Sequence, residues 1–311
     1  MALTPRLVLL LSLPPLLWAG NVVVGQLAIA HIAPLWLNVA RWALALGLIL
    51  PLGWRALGTA DLRAAALQRW RPLLLLSLTG VGAYNALQYL ALTTSTPLNV
   101  TLIAASSPVW TLVIGALVYG ERTRNVQLLG AALSLAGVAV VLARGDVHAL
   151  LQVRLVPGDV LMLGAILCWS AYSWMLARPC ASMRGTARPA WTWAEFLVVQ
   201  IAPGLGWATL AAGLGESVAP TPPVQWSAGL VLALVYIAVG PALIAYRAWG
   251  LGVAQAGPAV ASFMSNLTPL FAALLSAAVL GQWPQPYHGL AFGLIVAGIV
   301  VSSRSPAPTR A

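Results

Sequence analysis

The sequence predicts an all-α membrane protein in which ten transmembrane helices form two inverted five-helix repeats. Composition is the first reason: 60% of the 311 residues are hydrophobic, only 7% are charged, and the mean hydropathy is +0.89. A soluble domain of this length needs far more charge to cover its surface. Apolar runs of about 18 or more residues, long enough to cross roughly 30 Å of hydrocarbon as a helix, recur along the whole chain.

An internal repeat is the second reason. Four residues of the first half recur 161 positions later, as Pro97 and Pro258, Pro108 and Pro269, Gly120 and Gly281, and Gly137 and Gly298. Five helices is an odd number, so two such copies enter the membrane from opposite sides. The break at residues 144–157 divides the copies, which predicts a first repeat over residues 1–157 and a second over residues 158–311.

Ten apolar segments are predicted as helices in chain order. Their spans are 7–30, 34–53, 72–92, 96–119, 126–143, 158–178, 192–213, 228–249, 254–280 and 286–303. The first segment is longer than the core of a signal peptide and follows a single arginine, so it is predicted to stay as a membrane helix. It also has a counterpart, because Trp18 in predicted helix 1 matches Trp169 in predicted helix 6.

The arginines predict the orientation in the membrane. With the N-terminus in the cytoplasm, thirteen arginines fall on the cytoplasmic side, whereas only Arg144 and Arg154 fall on the other side. This bias predicts a multi-pass protein of a bacterial inner (cell) membrane, embedded in the lipid bilayer, with both termini cytoplasmic. Arginines in short loops also account for the net charge of +10 without a nucleic-acid partner. Cys168 and Cys180 lack metal-ligand spacing, so no metal or cofactor is predicted.

Polar and aromatic side chains inside the spans are the candidate site. Predicted helix 3 carries the densest cluster, Tyr84, Asn85, Gln88 and Tyr89, within two turns of an otherwise apolar segment. Such groups are costly in a bilayer unless they face a partner or a wet cavity, so the cluster favours cavity lining over interhelical hydrogen bonding. The remaining candidates for substrate binding are Trp18, Asn21, Asn99, Ser106, Trp110, Trp169, Tyr172, Tyr246, Ser265 and Asn266.

Three further residues are predicted to act in gating or structure. Pro108 and Pro269 occupy equivalent places in the two repeats, and paired proline kinks suit a hinge that opens alternately to each side. Arg41 lies inside predicted helix 2, where a charge must snorkel, bond to carbonyls or meet a substrate carboxylate. A structural or gating role is favoured for Arg41. The glycines of predicted helices 5 and 10 indicate close packing and leave open both a monomer and a homodimer.

Acidic residues are informative by their positions. The sequence places no aspartate or glutamate at the centre of a predicted span. A proton-coupled carrier usually needs a titratable group there, which favours facilitated transport or exchange. Glu195, near the end of predicted helix 7, keeps proton antiport as an alternative.

The order and spacing of several short motifs resemble a known family. The motifs include Trp18-Ala19-Gly20-Asn21, Tyr84-Asn85, Ser107-Pro108 and Gly120-Glu121-Arg122. Together they resemble the EamA-like ten-helix exporters of the drug/metabolite transporter superfamily, and the build is similar to that of aromatic amino acid exporters. One departure is Gln282, where the second copy in the family often has a glutamate.

The resemblance implies a secondary transporter rather than an enzyme, and a duplicated helix bundle is the usual build of one. It implies export of small metabolites, foremost aromatic or other hydrophobic amino acids, by alternating access between the inverted repeats. Efflux of cationic drugs is an alternative, although the candidate site offers no central carboxylate. An intramembrane transferase is a weaker alternative, because the sequence lacks paired acids, a His-Glu cluster and a phosphate loop, so no catalytic residues are predicted.

Overall fold

The computed structural model describes residues 4–95, 97–152, 154–280 and 285–303, and every regular element in these ranges is helical. The main helices are α1 (Pro5–Ala28), α2 (Pro34–Gly53), α3 (Ala60–Gln68), α4 (Trp70–Ala91), α5 (Pro97–Ala105), α6 (Ser107–Tyr119), α7 (Asn125–Leu142), α8 (Pro157–Ala177), α9 (Trp193–Val218), α10 (Ala228–Ser265), α11 (Thr268–Leu280) and α12 (Pro286–Ser303). Short helices and turns at Arg55–Gly58, Val147–Leu151, Ala181–Met183 and Gly185–Ala187 fill the connections.

Eight helices in the described residues are long and apolar enough to cross a membrane, or nine if the bent pair α5 and α6 is one span. The chain is therefore a multi-pass membrane protein, and the count of ten spans stays a prediction. The difference lies in α10, which is a single 38-residue candidate. A straight helix of that length would extend roughly 57 Å, well beyond one bilayer crossing. It is broken at Gly257, whose φ of 82° and ψ of 161° suit a residue without a side chain.

The prolines mark two further helix breaks. Predicted helix 4 is divided at Ser106, and the axes of Asn99–Ala105 and Ser107–Tyr119 differ by 43°. Pro108 is the second residue of α6, and Pro269 is the second residue of α11. Proline at a helix start removes an N–H group that would have no partner there. The prolines therefore begin half-helices rather than bend continuous ones.

Two π-helical segments interrupt the long helices. They cover Leu78–Ala83 in α4 and Ala238–Ile244 in α10, and a shift of 161 residues aligns the first with 239–244. Carbonyl groups in both segments accept side-chain hydrogen bonds. The Tyr246 hydroxyl donates to the Gly80 carbonyl, and Trp18 Nε1 donates to the Pro241 carbonyl at 3.3 Å. Gly80 and Pro241 are themselves 161 residues apart, so the wider turns recur with the sequence repeat.

Helices α7 and α12 pack closely through small residues. A Cβ atom at Gly130 would lie 2.7 Å from the Gly298 carbonyl oxygen, and one at Gly137 would lie 2.8 Å from the Ala291 carbonyl oxygen. The contacts run in opposite directions along the two helices, which are therefore antiparallel. Positions 130 and 137 correspond to 291 and 298 under the 161-residue shift. The contact of Gly130 with Gly298 and that of Gly137 with Ala291 are therefore equivalent under the repeat.

Hydrogen bonds and an ion pair connect the arginine-bearing loops at one end of the helix bundle. Arg69 Nε and Nη2 donate to the carbonyls of Ser182 and Ala187, each at 2.8 Å. Arg178 pairs with Glu121, which joins the ends of α8 and α6. Hereafter this end is called the arginine-rich end. Gly281, Gln282 and two of the predicted cytoplasmic arginines, Arg304 and Arg310, lie outside the described residues.

Local signals in the sequence explain where several helices begin and end. The Thr192 hydroxyl accepts from the Glu195 N–H at 3.2 Å, while the Glu195 carboxylate accepts from the Thr192 N–H at 2.7 Å, which is a capping box at α9. Gly120, directly after the last residue of α6, has a φ of 66°, and the Glu121 N–H donates to the Gly115 carbonyl at 2.9 Å.

Candidate functional site

A cavity of about 290 Å³ lies between the helices of the bundle. Side chains of α1, α2, α4, α5, α6, α8, α10 and α11 contribute to its wall. Among the residues predicted from sequence, the lining includes Trp18, Asn21, Arg41, Tyr84, Asn85, Gln88, Tyr89, Trp169, Tyr246, Ser265, Asn266 and Pro269. The polar cluster of predicted helix 3 therefore faces the same space as the candidates on α1, α8 and α10.

Aromatic rings form one end of the cavity, and Trp169 is at their centre. Its ring centroid lies 5.2 Å from that of Trp18, 5.1 Å from that of Tyr84 and 5.5 Å from that of Tyr246. Trp249 packs behind it at 5.2 Å and donates from Nε1 to the Ser173 hydroxyl at 3.1 Å. Aromatic pairs at these separations stabilise one another beyond simple burial. Hereafter this group of rings is called the aromatic layer.

Arg41 supplies the positive charge of the cavity wall. The residue is 1% exposed, and its Nη1 donates to Asn85 Oδ1 at 2.9 Å. Its Nε has no hydrogen-bond partner among the described residues. The ion pairs in the described part of the chain join Arg55 to Glu195 and Arg178 to Glu121, so neither one neutralises Arg41.

Further polar atoms around the cavity are buried without partners in the described structure. They are Asn21 Oδ1, the Tyr89 hydroxyl and the Ser107 hydroxyl. Most buried polar groups in proteins are hydrogen-bonded, and exceptions that line a cavity are available to an occupant. The wall thus combines aromatic faces with unsatisfied donors and acceptors, which is the usual composition of a small-molecule site.

The cavity extends towards the end of the bundle opposite the arginine-rich end. Its lining reaches Ile29 and Leu92, at the ends of α1 and α4, which are 37% and 38% exposed. In the other direction it stops at the aromatic layer. Beyond that layer, Trp174 Nε1 bonds to the Thr111 carbonyl at 2.7 Å, and the Trp174 and Tyr119 rings stack at 4.8 Å. These described side chains therefore close the central cavity towards the arginine-rich end.

A second cavity of about 300 Å³ lies on the arginine-rich side, between α4, α6, α8 and α9. Its lining includes Tyr119, Met175, Arg178 and Phe196 and shares no residue with the first cavity. Helix α8 passes both spaces in succession, with Trp169 at the first and Met175 at the second. Two spaces therefore lie along one helix, on either side of the aromatic layer.

Five of the sequence candidates do not line the central cavity. Asn99 Nδ2 bonds to Asp159 Oδ2 at 3.0 Å and to the Arg154 carbonyl at 2.9 Å. The Ser106 hydroxyl accepts from Trp110 Nε1 at 3.1 Å, so these two satisfy each other beside the helix break. The Tyr172 hydroxyl donates to Gln200 at 3.1 Å within the core. Pro108 is buried at the start of α6.

Acidic groups stay away from the central cavity in the described structure. Glu195 caps α9 and lies 3.9 Å from Arg55. Asp159, at the start of α8, accepts from the hydroxyl of Ser95 and from the Val156 N–H at 2.9 Å. Each carboxylate already has a structural partner, and neither lines the cavity.

Sequence reasoning missed several lining residues. Most are apolar or small and carry no chemical signal: Gly25, Ile29, Leu92, Val100, Ala104, Ala105 and Ile166. Ser107 and Thr268 also line the cavity, and a signal for them existed. They are 161 residues apart and each directly precedes one of the paired prolines. The same repeat that located the helix breaks therefore marked two hydroxyl groups of the wall.

Comparison with known families gives a match over most of the chain. The pattern of the EamA-like transporter family matches residues 6–143 and, a second time, residues 156–304. The two matched segments meet at the break where the sequence predicts a boundary between repeats.

Curated relatives and a solved structure extend this comparison. The aromatic amino acid exporter YddG of Ancylobacter novellus is 26% identical over 80% of this chain and 80% of its own length. A probable terminal-alkyne amino-acid exporter of Streptantibioticus cattleyicolor is 27% identical over 86% of this chain and 82% of its own. Other relatives are named only as uncharacterised transporters. A solved crystal structure with 22% identity covers 96% of both chains with a TM-score of 0.74 and shares the fold.

Proposed function

Because the chain belongs to the EamA-like transporter family, we propose that it exports small amphipathic metabolites, foremost amino acids with aromatic or other hydrophobic side chains. The observation that carries the proposal is the central cavity, in which aromatic rings and unpartnered polar atoms face one space. An amphipathic molecule needs both surfaces at once. Two relatives are named as amino acid exporters, which supports the same substrate class.

The cavity volume favours a compact substrate. Small-molecule pockets range over roughly 300–1,000 Å³, and the cavity of about 290 Å³ is at the lower limit of that range. The volume of a single amino acid is compatible with a cavity of this size, whereas that of a large multi-ring drug is not. Efflux of cationic compounds is disfavoured further because Arg41 is positive and no carboxylate belongs to the described lining.

The proposed mechanism is alternating access between two inverted repeats, residues 1–157 and 158–311. Three features support a repeat beyond the prolines and glycines of the sequence: the π-helical segments, the half-helix breaks and the α7–α12 contacts each recur at or near a shift of 161 residues. An antiparallel contact between equivalent helices supports the inversion. The cavities on either side of the aromatic layer suit a carrier that closes one side while the other is open.

The proposal includes an orientation in the bacterial inner membrane. The arginine-rich end faces the cytoplasm, as the positive-inside rule favours, and both termini lie there. The central cavity then faces the opposite side, as in a carrier that has delivered its substrate outward. Gly289 and Gly293 leave one face of α12 uncrowded, with nothing within 4 Å of an added Cβ, so both a monomer and a dimer remain compatible with the chain.

Uptake into proteoliposomes tests this function. Purified protein is reconstituted, and the initial rate of labelled tryptophan, phenylalanine and leucine uptake is measured with and without a proton gradient. Gln88→Ala and Tyr84→Phe change polar groups of the cavity wall, and both are expected to lower the rate of the transported substrate. Gln68→Ala is the matched control, since Gln68 is exposed on α3, away from the cavity.

Saturable uptake that is reduced by both cavity variants and unaffected by the control supports the proposal. No uptake of any amino acid under either condition refutes the amino acid proposal. Uptake of an organic cation in its place would favour the drug efflux alternative.

A further inference from the structure

Arg41 has a charge that no described residue neutralises. It is 1% exposed, lines the cavity, and donates one hydrogen bond to the neutral amide of Asn85. A guanidinium has five N–H donors and stays charged in proteins, so one amide oxygen satisfies it only in part. A charge held within the membrane region without a counter-ion is costly. An occupant of the cavity with a negative group would remove that cost.

The geometry around Arg41 fits an acceptor better than a donor. Its Nε is buried without a partner among the described residues. Carboxylates bind arginine through two parallel hydrogen bonds that use adjacent N–H groups of the planar fork. The bond from Nη1 to Asn85 fixes the guanidinium at one corner. The remaining N–H groups of the guanidinium, including Nε–H, are then held in position for a second acceptor.

An ammonium group would meet no opposite charge among the cavity residues that the structure describes. The described lining contains no aspartate or glutamate. The aromatic layer supplies ring faces, which can attract a cation but carry no net charge. Asn21 Oδ1 and the hydroxyls of Tyr89 and Ser107 can accept hydrogen bonds from an amine, but none of them carries the negative charge that would offset an ammonium ion.

We propose that Arg41 binds the carboxylate of the substrate and that the amino group is dispensable. The substrate class is then small aromatic or apolar monocarboxylates, of which amino acids are one kind. This inference rests on the proposed function in taking the central cavity as the transport site. It goes further in assigning the charge selection to one residue and in excluding, as substrates, amines that lack a carboxylate.

Three ligands with the same indole ring separate the contributions. Tryptophan has both charged groups, indole-3-propionate lacks the amine, and tryptamine lacks the carboxylate. Each is tested for a shift of the thermal unfolding midpoint of the detergent-purified protein and for inhibition of labelled tryptophan uptake. Wild type is expected to bind the two carboxylates with affinities within about threefold of each other and tryptamine about tenfold or more weakly, as expected for loss of a charge-assisted hydrogen bond.

Arg41 variants test the assignment. Arg41→Gln is expected to weaken both carboxylates about tenfold or more while leaving the weak binding of tryptamine within about twofold. Arg41→Lys keeps the charge without the planar fork, so its affinity for the two carboxylates is expected to lie between those of wild type and Arg41→Gln. Arg63→Gln is the matched control because Arg63 is exposed on α3.

The outcomes separate this inference from the proposed function. Tryptophan uptake with equal or better inhibition by tryptamine than by indole-3-propionate overturns the inference and leaves the function standing. Carboxylate binding that Arg41→Gln does not weaken also overturns it. No tryptophan uptake, together with indole-3-propionate binding that depends on Arg41, overturns the amino acid function and supports the charge assignment. If Arg41→Gln does not fold, the ligand series on wild type and Arg41→Lys decides the question.

Discussion

Substitution of Gly298 by alanine tests the contact between α7 and α12. A Cβ atom at this position would lie 2.6 Å from the Gly130 carbonyl oxygen and 2.9 Å from the Ser134 backbone nitrogen. Both are backbone atoms, so no side-chain rotation relieves the overlap. The two helices would have to move apart. Gly293, on the same helix, has no atom within 4 Å of an added Cβ.

The expected magnitude follows from two opposing effects. Replacing a helical glycine by alanine stabilises the helix by about 1 kcal/mol, and this gain is common to both variants. Overpacking a close contact costs about 1–3 kcal/mol. Gly293→Ala is therefore expected to keep or raise the stability. Gly298→Ala is expected to be less stable than Gly293→Ala by about 1–3 kcal/mol, since the difference isolates the steric term.

Equilibrium unfolding in mixed detergent micelles measures this difference. Helical circular dichroism is followed as a denaturing detergent is added, and the free energies of unfolding of wild type and both variants are compared. Equal stability of the two variants, within about 0.5 kcal/mol, would refute the close packing of α7 on α12. It would also remove one of the features on which the inverted arrangement rests.

Three other substitutions test separate parts of the structure by thermal unfolding. Asp159→Asn removes the charge from a carboxylate that accepts three hydrogen bonds at the start of α8, so a loss of stability of about 1–3 kcal/mol is expected. The control is Asp61→Asn at an exposed position, for which no loss is expected. Equal unfolding midpoints of the two variants would contradict the hydrogen bonds to Asp159. Trp169→Ala removes the centre of the aromatic layer and is expected to cost about 3–5 kcal/mol, whereas Trp226→Ala, at a side chain that is 67% exposed, should be nearly neutral. Asn266→Leu deletes two buried hydrogen bonds across the halves and is expected to cost about 1–3 kcal/mol; an unchanged midpoint would show that these bonds do not hold the halves together.

The repeat in the sequence located much of the architecture. The 161-residue spacing identifies Pro108 and Pro269 as equivalent positions, and both begin half-helices in the structure. The reason is chemical, because proline lacks the N–H group that a helix interior requires. Membrane character followed in the same way from composition, since so few charges cannot cover a soluble surface. These features are local, and each depends on the residue itself.

The polar residues show where sequence reasoning stopped. Asn85 and Asn99 both lie in apolar segments, and the sequence predicts that both line the cavity. The structure places Asn85 on the cavity wall and Asn99 in a hydrogen-bonded cluster with Asp159. Periodicity identifies which residues share a face of one helix, but not which neighbour that face meets. Periodicity is less informative still in a membrane, because lipid and protein core are equally apolar. The two faces of a helix then differ too little in polarity to show which one is buried.

The sequence by itself determined the membrane class, the order of the helices and the positions of the paired breaks, because these depend on hydrophobic length and on the backbone chemistry of proline. Only the tertiary structure decided that Arg41 faces the cavity, that Asn99 bonds to Asp159 and that Trp169 contacts the aromatic rings of α1, α4 and α10. Each of these is a relation between helices distant in the chain. The rotation and crossing of packed helices fix such relations, and no local pattern encodes them.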